Sequence, residues 1–257
     1  MGRPRRTMSE TVSTTERDER ILGLLGDAGR VEIAVLAERF EVSEMTVRRD
    51  LDRLAGLGRL RRVRGGAVAI GPEPFARRFA RNAVAKDRIA DKLVDLVGDG
   101  GAIALDASTT VQRLASRLQG VSNLIVLTNG PDTFFALQDV AGVTAILTGG
   151  MLDRRTGGLV GPVAARSTAD LAARCAFVSA TALAPGVGST EQTLEDADAK
   201  LALVAAASSV VLAVDHAKLG HHAAARCLTL DRVDVLVTDL DPADHRLDDY
   251  REHCQIV

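Results

Sequence analysis

Residues 42–51 read VSEMTVRRDL, and their reading decides the fold of the first part of the chain. Ser43 is a good helix N-cap, so Arg48 and Arg49 fall in the first turns of the helix that follows. The positive end of the helix macrodipole lies there, and cations cost stability unless an anion meets them. Asp50 and Asp52 stand too close along the chain to face these arginines, because partners on a helix need a spacing of three or four. An external polyanion is the better counter-charge.

The flanking residues give that helix its setting. Upstream, Ile21, Leu24, Leu25 and Ala28 repeat at helical spacing until Gly29, and Ile33, Leu36, Ala37 and Phe40 repeat it in a second short helix. Only Glu41 and Val42 separate that helix from Ser43. In the third helix Val47, Leu51 and Leu54 form the apolar stripe, with Arg49 nearly opposite, Arg48 and Arg53 on the flanks and Thr46 near Arg53. Two short helices joined by a tight turn, the second with an arginine face, make a helix-turn-helix. Gly58 then ends the helix, and Gly65-Gly66 marks a hairpin whose Arg61, Arg62 and Arg64 form a basic wing. Ser43, Thr46, Arg48, Arg49, Arg53, Arg61, Arg62 and Arg64 are the expected DNA-binding residues.

Charge supports this division. The net charge of −2 over 257 residues hides +3 over residues 1–70 and −5 over the remainder, and a basic segment suits a phosphate backbone. Cys175, Cys227 and Cys254 are odd in number and far apart, which fits a reducing cytoplasm better than a disulfide framework. The longest apolar run, 201–214, is too short to span a membrane and is broken by Ser208-Ser209. Residues 1–15 read as a disordered arm, 16–70 as the DNA-binding domain, 71–86 as an Arg-rich linker helix opened by two prolines, and 87–257 as a second domain.

In that second domain, apolar runs alternate with helical segments. The runs end at Asp106, Asn129, Gly150, Ala182, Asp215 and Asp239, and their continuous Val, Ile, Leu and Ala content indicates a mostly parallel, Rossmann-like α/β sheet covered on both faces. Ligands of open α/β sheets bind outside the carboxyl ends of the strands, so Asp106, Thr128, Asn129, Gly149, Gly150 and Asp215 are expected to converge. The stretch DASTT (106–110) delivers Asp106, then Ser108, Thr109 and Thr110 at a helix start, where N–H groups and hydroxyls suit phosphate. An ordinary N-cap at Ser108 or Thr109 is the plainer alternative. No Walker A or GxGxxG spacing occurs, and no cofactor is implied. His216, His221, His222 and Cys227 lack the spaced pairs of a metal site and read as a solvated loop. The stretch DPADHRLDDYREHC (241–254) reads as an exposed acidic helix.

The pattern VS..T.RRDL..L...G.L.R..GGA resembles, nearly position for position, the winged helix-turn-helix of DeoR-type transcriptional repressors. The resemblance continues through K..IA (86–90), D.STT (106–110), TN (128–129), GG (149–150), D..K.G (215–220) and TD (238–239), and so covers nearly the whole chain. It implies a sensor domain similar in fold to ribose-5-phosphate isomerase, with phosphate on Ser108, Thr109 and Thr110, a sugar hydroxyl on Asp106 and a second anionic or hydroxyl group on Lys218. The chain departs from the family at SATALAPGVGST (179–190), where no acid occurs before Glu191. Related isomerases use acids in that region for proton transfer, so their absence argues against turnover.

These readings lead to a cytoplasmic regulator, a repressor of carbohydrate-metabolism genes. It binds double-stranded operator DNA as a homo-oligomer, a dimer or tetramer, under control of a phosphorylated sugar. The alternatives are a sugar-phosphate isomerase fused to a DNA-binding domain and an effector-independent DNA-binding oligomer.

Overall fold

The computed structural model describes residues 14–69 and 75–257. The chain forms two compact units that divide between Arg77 and Arg78. Most of the expected arm, and residues 71–74 of the expected linker, lie outside the described residues; Thr14 and Thr15 of the arm begin the first helix.

The first unit contains α1 (Thr14–Ala28), β1 (Arg30–Glu32), α2 (Ile33–Phe40), α3 (Glu44–Gly56), β2 (Leu60–Val63) and β3 (Gly66–Ala69). The apolar stripes of the helices meet in one core that includes Ile21, Leu25, Leu36, Phe40, Val47, Leu51 and Leu54. Ser43 caps α3 as expected, its Oγ accepting from the Thr46 N–H at 3.1 Å. The turn of the wing is Arg64-Gly65 rather than Gly65-Gly66, because Val63 pairs with Gly66. Gly65 takes φ +78°, a conformation that suits a tight two-residue hairpin. Sequence reasoning also missed β1, which pairs antiparallel with β3 and widens the wing to three strands. This pairing explains Gly66: a Cβ there would lie 1.9 Å from the Val31 carbonyl oxygen.

The second unit begins in α4 (Phe75–Ala80) and continues in α5 (Ala83–Val97). The expected single linker helix is thus interrupted. Asn82 adopts φ +52° between the two helices, a left-handed conformation that asparagine tolerates better than most residues.

There follow β4 (Gly101–Leu105), α6 (Thr109–Ala115), β5 (Leu124–Thr128), α7 (Pro131–Leu137), β6 (Val143–Leu147), the hairpin β7 (Met151–Leu152) and β8 (Leu159–Val160), and α8 (Pro162–Thr168). Then come β9 (Cys175–Ser179), β10 (Ala182–Ala184), β11 (Gly188–Glu191), α9 (Leu194–Ala205), β12 (Val210–Ala213), β13 (Ala225–Arg226), β14 (Val235–Val237), α10 (Asp248–Arg251) and β15 (Gln255–Ile256). The main sheet has the order β15-β14-β12-β9-β4-β5-β6, and every pairing in it is parallel.

Alternation along the central strands fills both faces. Ala176 and Val178 of β9 join one core with Val210 and Leu212, while Cys175 and Phe177 join the other with Ile103 and Leu105. Six of the seven strands lie on the apolar runs; the seventh, β15, has only two residues and no such signal. The expected exposed acidic helix is reduced to one turn, α10, and is anchored in the core. Tyr250 there is buried, and its hydroxyl donates to the Leu183 carbonyl at 3.1 Å and accepts from the Gly220 N–H at 3.2 Å. Among the described residues no helix is long and apolar enough to cross a membrane.

The chain runs from β4 outward through β5 and β6, then returns to the other side of β4 with β9. The topological switch point therefore lies between β4 and β9, the place where open α/β sheets bind ligands.

Candidate functional site

In the first unit the candidate surface is the outward side of α3 with the wing. Arg48 has a counter-charge that the sequence reading overlooked, Glu44 one turn upstream, at 3.2 Å. Both side chains are about half exposed, and exposed pairs of this spacing contribute only about 0.3–0.5 kcal/mol. Asp50 is not a surface acid: it is buried and pairs with Arg17 at 2.6 Å and Arg53 at 3.0 Å. Arg53 also grips Asp18 of α1 through both of its terminal nitrogens, and these bonds hold its guanidinium even more firmly protonated than usual. Arg53, expected at the DNA, is thus engaged in joining α1 to α3.

Arg62 is engaged as well, bonded to Asp52 at 2.8 Å and to the Gly66 carbonyl at 2.6 Å. The hydroxyls of Ser43 and Thr46 lie 2.9 Å apart at the N-terminus of α3. Arg49, Arg61 and Arg64 remain exposed, with no ion pair among the described residues.

In the second unit the switch point gathers the ends of several strands. Asp106, just past β4, is buried; its Oδ1 accepts from the Ser108 N–H at 3.0 Å and its Oδ2 from the Ser179 N–H at 2.9 Å. Ser179 closes β9, so one carboxylate joins the two strands that flank the switch point. Lys200, on α9, lies 3.3 Å from the same Oδ2 and bonds Glu191 and the Ser179 carbonyl. Lys218 reaches the Ser179 hydroxyl at 3.0 Å.

The 179–190 segment folds back as the β10–β11 hairpin, with Thr190 opposite Ala182. That fold returns the missing acid in space. Glu191 accepts from the Thr181 N–H at 3.2 Å and from its hydroxyl at 3.0 Å. Burial, with the neighbouring Glu191 and Asp106, pushes the Asp196 carboxyl up to about 7 against the pull of Lys200.

Of the other expected residues, Ser108 fulfils the plainer reading: its Oγ caps α6 by accepting from the Val111 N–H at 3.2 Å. Thr109 and Thr110 are buried, and Thr110 Oγ1 has no hydrogen-bond partner among the described residues. Asn129 donates to the Leu159 carbonyl at 3.1 Å, while its buried Oδ1 lacks a partner among the described residues. Thr128 accepts the Gly130 N–H at 3.0 Å through its own Oγ1. Gly149 and Gly150 are exposed, and their near neighbours are Val163, Val160 and Ala164; they accommodate β8 and α8. Asp215 accepts from Asn82 Nδ2 at 3.0 Å and from the Ala217 N–H at 3.2 Å.

The sequence reading quoted Lys86 within a motif without giving it a role. It is buried, donates to the Arg78 carbonyl, and has its pKa lowered to about 8 by burial and then by Lys218. Burial also lowers the pKa of Lys218, against the pull of Asp215. Glu191 was noted only as the first acid after the altered segment, and Lys200, Ser179 and Asn82 were given no role. No spacing joins them in the sequence, and only the hairpin and the strand order bring them to the other groups. His216 is tied to Asp239, through its ring at 2.8 Å and its backbone N–H at 2.8 Å.

Residues 17–73 match the DeoR-like helix-turn-helix domain, and residues 81–240 match the DeoR C terminal sensor domain. The chain is 32% identical over 228 residues to the HTH-type transcriptional regulator GolR of Listeria innocua, covering 87% of this chain and 90% of that protein. It is 31% identical over 235 residues to the glycerol-3-phosphate regulon repressor of Escherichia coli, covering 89% and 92%. Among solved structures, ribose 5-phosphate isomerase A of Methanocaldococcus jannaschii aligns over 54% of this chain and 55% of its own, with 14% identity and a TM-score of 0.40. That degree of likeness has no bearing on activity.

Proposed function

The chain belongs to the DeoR family of transcriptional regulators, and from that premise we propose that it represses genes of carbohydrate metabolism by binding operator DNA until a phosphorylated sugar occupies its second unit. In this reading α3 enters the major groove, and Arg49 contacts base edges while Arg61 and Arg64 meet phosphates. The sugar phosphate binds at the switch point, between the Asp106–Thr110 loop and Lys218.

The observation that carries the effector reading is a pair of lysines, Lys86 buried and Lys218 half-buried with its ammonium 3.0 Å from the Ser179 hydroxyl. Lys86 and Lys218 are desolvated and repel each other, with Asp215 as a nearby acid. An incoming phosphate dianion stabilises both ammonium groups, whereas a neutral sugar does not. The partnerless oxygens of Thr110 and Asn129 add polar groups near the same strand ends. Lys200 has a different role: with Glu191 and Asp106 it forms a saturated internal cluster that fixes the loop. Lys200 and the N–H and hydroxyl of Thr181 bond both oxygens of Glu191, so this acid is engaged in the internal cluster.

Operators are read as paired half-sites, so the acting form is a homo-oligomer. Mobility shift of a selected operator with the purified protein, titrated with phosphorylated and unphosphorylated sugars, tests the proposal. Release by a phosphorylated sugar alone is expected; release by none, or equally by the unphosphorylated partner, overturns the effector reading.

A further inference from the structure

Alongside Arg49, the outward side of α3 carries a large exposed apolar side chain, Met45, which is 60% exposed. The buried residues of α3 are Val47, Asp50, Leu51 and Leu54. At about 100° per residue, Met45 lies roughly opposite the centre of that buried stripe, and Arg49 lies about 40° to one side. The two are one turn apart, so their side chains leave the helix in nearly the same direction. Asp52 and Arg48 border the same face, but each is held by a partner, Arg62 and Glu44 respectively. The Ser43 and Thr46 hydroxyls are held by one another.

We propose that Met45 determines part of the operator sequence by packing on the C5-methyl group of a thymine next to the base read by Arg49. The proposal rests on the DNA-binding role of α3 argued above. Side chains near the N-terminus of a recognition helix are the ones that reach base edges, and Met45 is the second residue of α3. In the major groove the thymine methyl is the apolar feature that distinguishes a T·A pair, and apolar side chains read it. A methionine fits because its thioether is unbranched and adapts to irregular apolar contacts. The phosphate contacts of Arg61 and Arg64 bring the helix to the duplex but carry no sequence information themselves. Among the described residues of this unit the other large exposed apolar side chains, Val35 and Leu57, lie on α2 and beyond the last residue of α3, away from its N-terminal turn.

The test uses the full-length protein and a consensus site selected from randomised duplex DNA. Each thymine of the site is then replaced in turn by deoxyuridine, which removes the methyl group alone. The wild-type protein is expected to lose roughly fourfold in affinity at one position per half-site, the worth of one buried methyl group. Met45→Ala is expected to bind less tightly and to show no loss at that position, and Met45→Leu to keep part of the sensitivity. Arg49→Ala is expected to respond to the replacement as the wild type does, which shows that the effect belongs to Met45. Because Met45 lies outside the core, the thermal midpoint of the alanine variant should match the wild type.

A consensus without thymine, a wild type indifferent to every replacement, or an alanine variant with unchanged sensitivity overturns the proposal. If no consensus emerges from the selection, the DNA-binding reading fails instead.

Discussion

Asn82 donates its side-chain amide to Asp215 at 3.0 Å, so the break between α4 and α5 is tied to the end of β12. A second tie runs from α6, which follows the DASTT loop directly. Arg113 stacks 4.0 Å from the centroid of the Phe79 ring, donates to the Phe79 carbonyl at 2.8 Å, and pairs with Asp87 at 2.7 Å. The first tie holds the break that follows α4, and the second holds Phe79 of α4 and Asp87 of α5. On the proposed function, a ligand that displaced Asp215 or shifted α6 would alter the contacts around α4 and α5, a differential contact of the kind that coupling requires.

Asn82→Gly isolates the side chain, because glycine accepts the left-handed backbone at this position without strain. Operator affinity without effector should stay within about twofold, while the effector concentration for half-release should rise by about tenfold, a coupling loss of about 1.4 kcal/mol. Mobility shift at several effector concentrations measures both quantities. An unchanged effector response would remove Asn82 from the coupling.

The lowered pKa of Lys86, about 8, makes effector binding depend on pH. Below that value the ammonium is charged and attracts phosphate; above it the lysine is neutral in the free protein. Binding should therefore weaken as pH rises above about 8 and be accompanied by proton uptake. Titration calorimetry at pH 8.5 in buffers of different ionisation enthalpy reads the uptake directly. For folding the sign is opposite. The folded pKa lies below the unfolded one, so the unfolded chain binds more protons between about 8 and the ordinary lysine value. The Lys86 contribution to stability should therefore rise with pH across that window, and Lys86→Met should reduce both dependences, leaving the part that belongs to Lys218.

The helices of the first unit were legible because apolar residues repeat at helical spacing and Ser43 marks a start. The parallel sheet was legible because its central strands are buried on both faces and read as continuous apolar runs. What escaped was short or assembled at a distance. A three-residue strand such as β1 and a two-residue strand such as β15 have no periodicity of their own; each exists because a longer neighbour offers unpaired groups. Glu44 stands four residues before Arg48, on the side of the arginines away from Asp50 and Asp52, and the spacing rule applies in both directions. The switch-point groups escaped in part for a topological reason. Glu191 reaches Thr181 only through the β10–β11 hairpin, and Lys200 reaches Asp106 only because β9 returns beside β4.

The two exposed arginines at neighbouring turns of α3 should behave differently. Arg49→Ala removes a cation with no internal partner, so stability should be unchanged and specific operator binding should weaken by about 1–3 kcal/mol. Arg53→Ala breaks bonds to Asp18 and Asp50 and leaves buried Asp50 with Arg17 as its cation. That variant should lose about 1–3 kcal/mol of stability, and its DNA affinity should fall chiefly through unfolding. Urea unfolding beside binding isotherms separates the two. Equal effects of both variants on affinity at unchanged stability would give Arg53 the direct role that its ion pairs argue against.

Lys200 is the counter-charge of the switch point, buried with Glu191 and Asp106. Lys200→Met preserves much of the side-chain volume but leaves two buried carboxylates facing each other with Asp196 close by. Breaking a buried pair from one side costs about 3–5 kcal/mol, mostly because the remaining charge is uncompensated. Adding Glu191→Gln should recover part of that loss at neutral pH, because it removes one of the two facing charges. Asp196 supplies a separate pH term in the wild type. Its folded pKa, about 7, lies above the unfolded value, so its contribution is fully present below the unfolded pKa and is lost as pH rises towards 7. Asp196→Asn should flatten that fall without the cost seen at Lys200. Urea midpoints between pH 5 and 8 for the three variants check the assignment. A Lys200→Met protein as stable as wild type at pH 7 would show that the cluster is not held by its lysine.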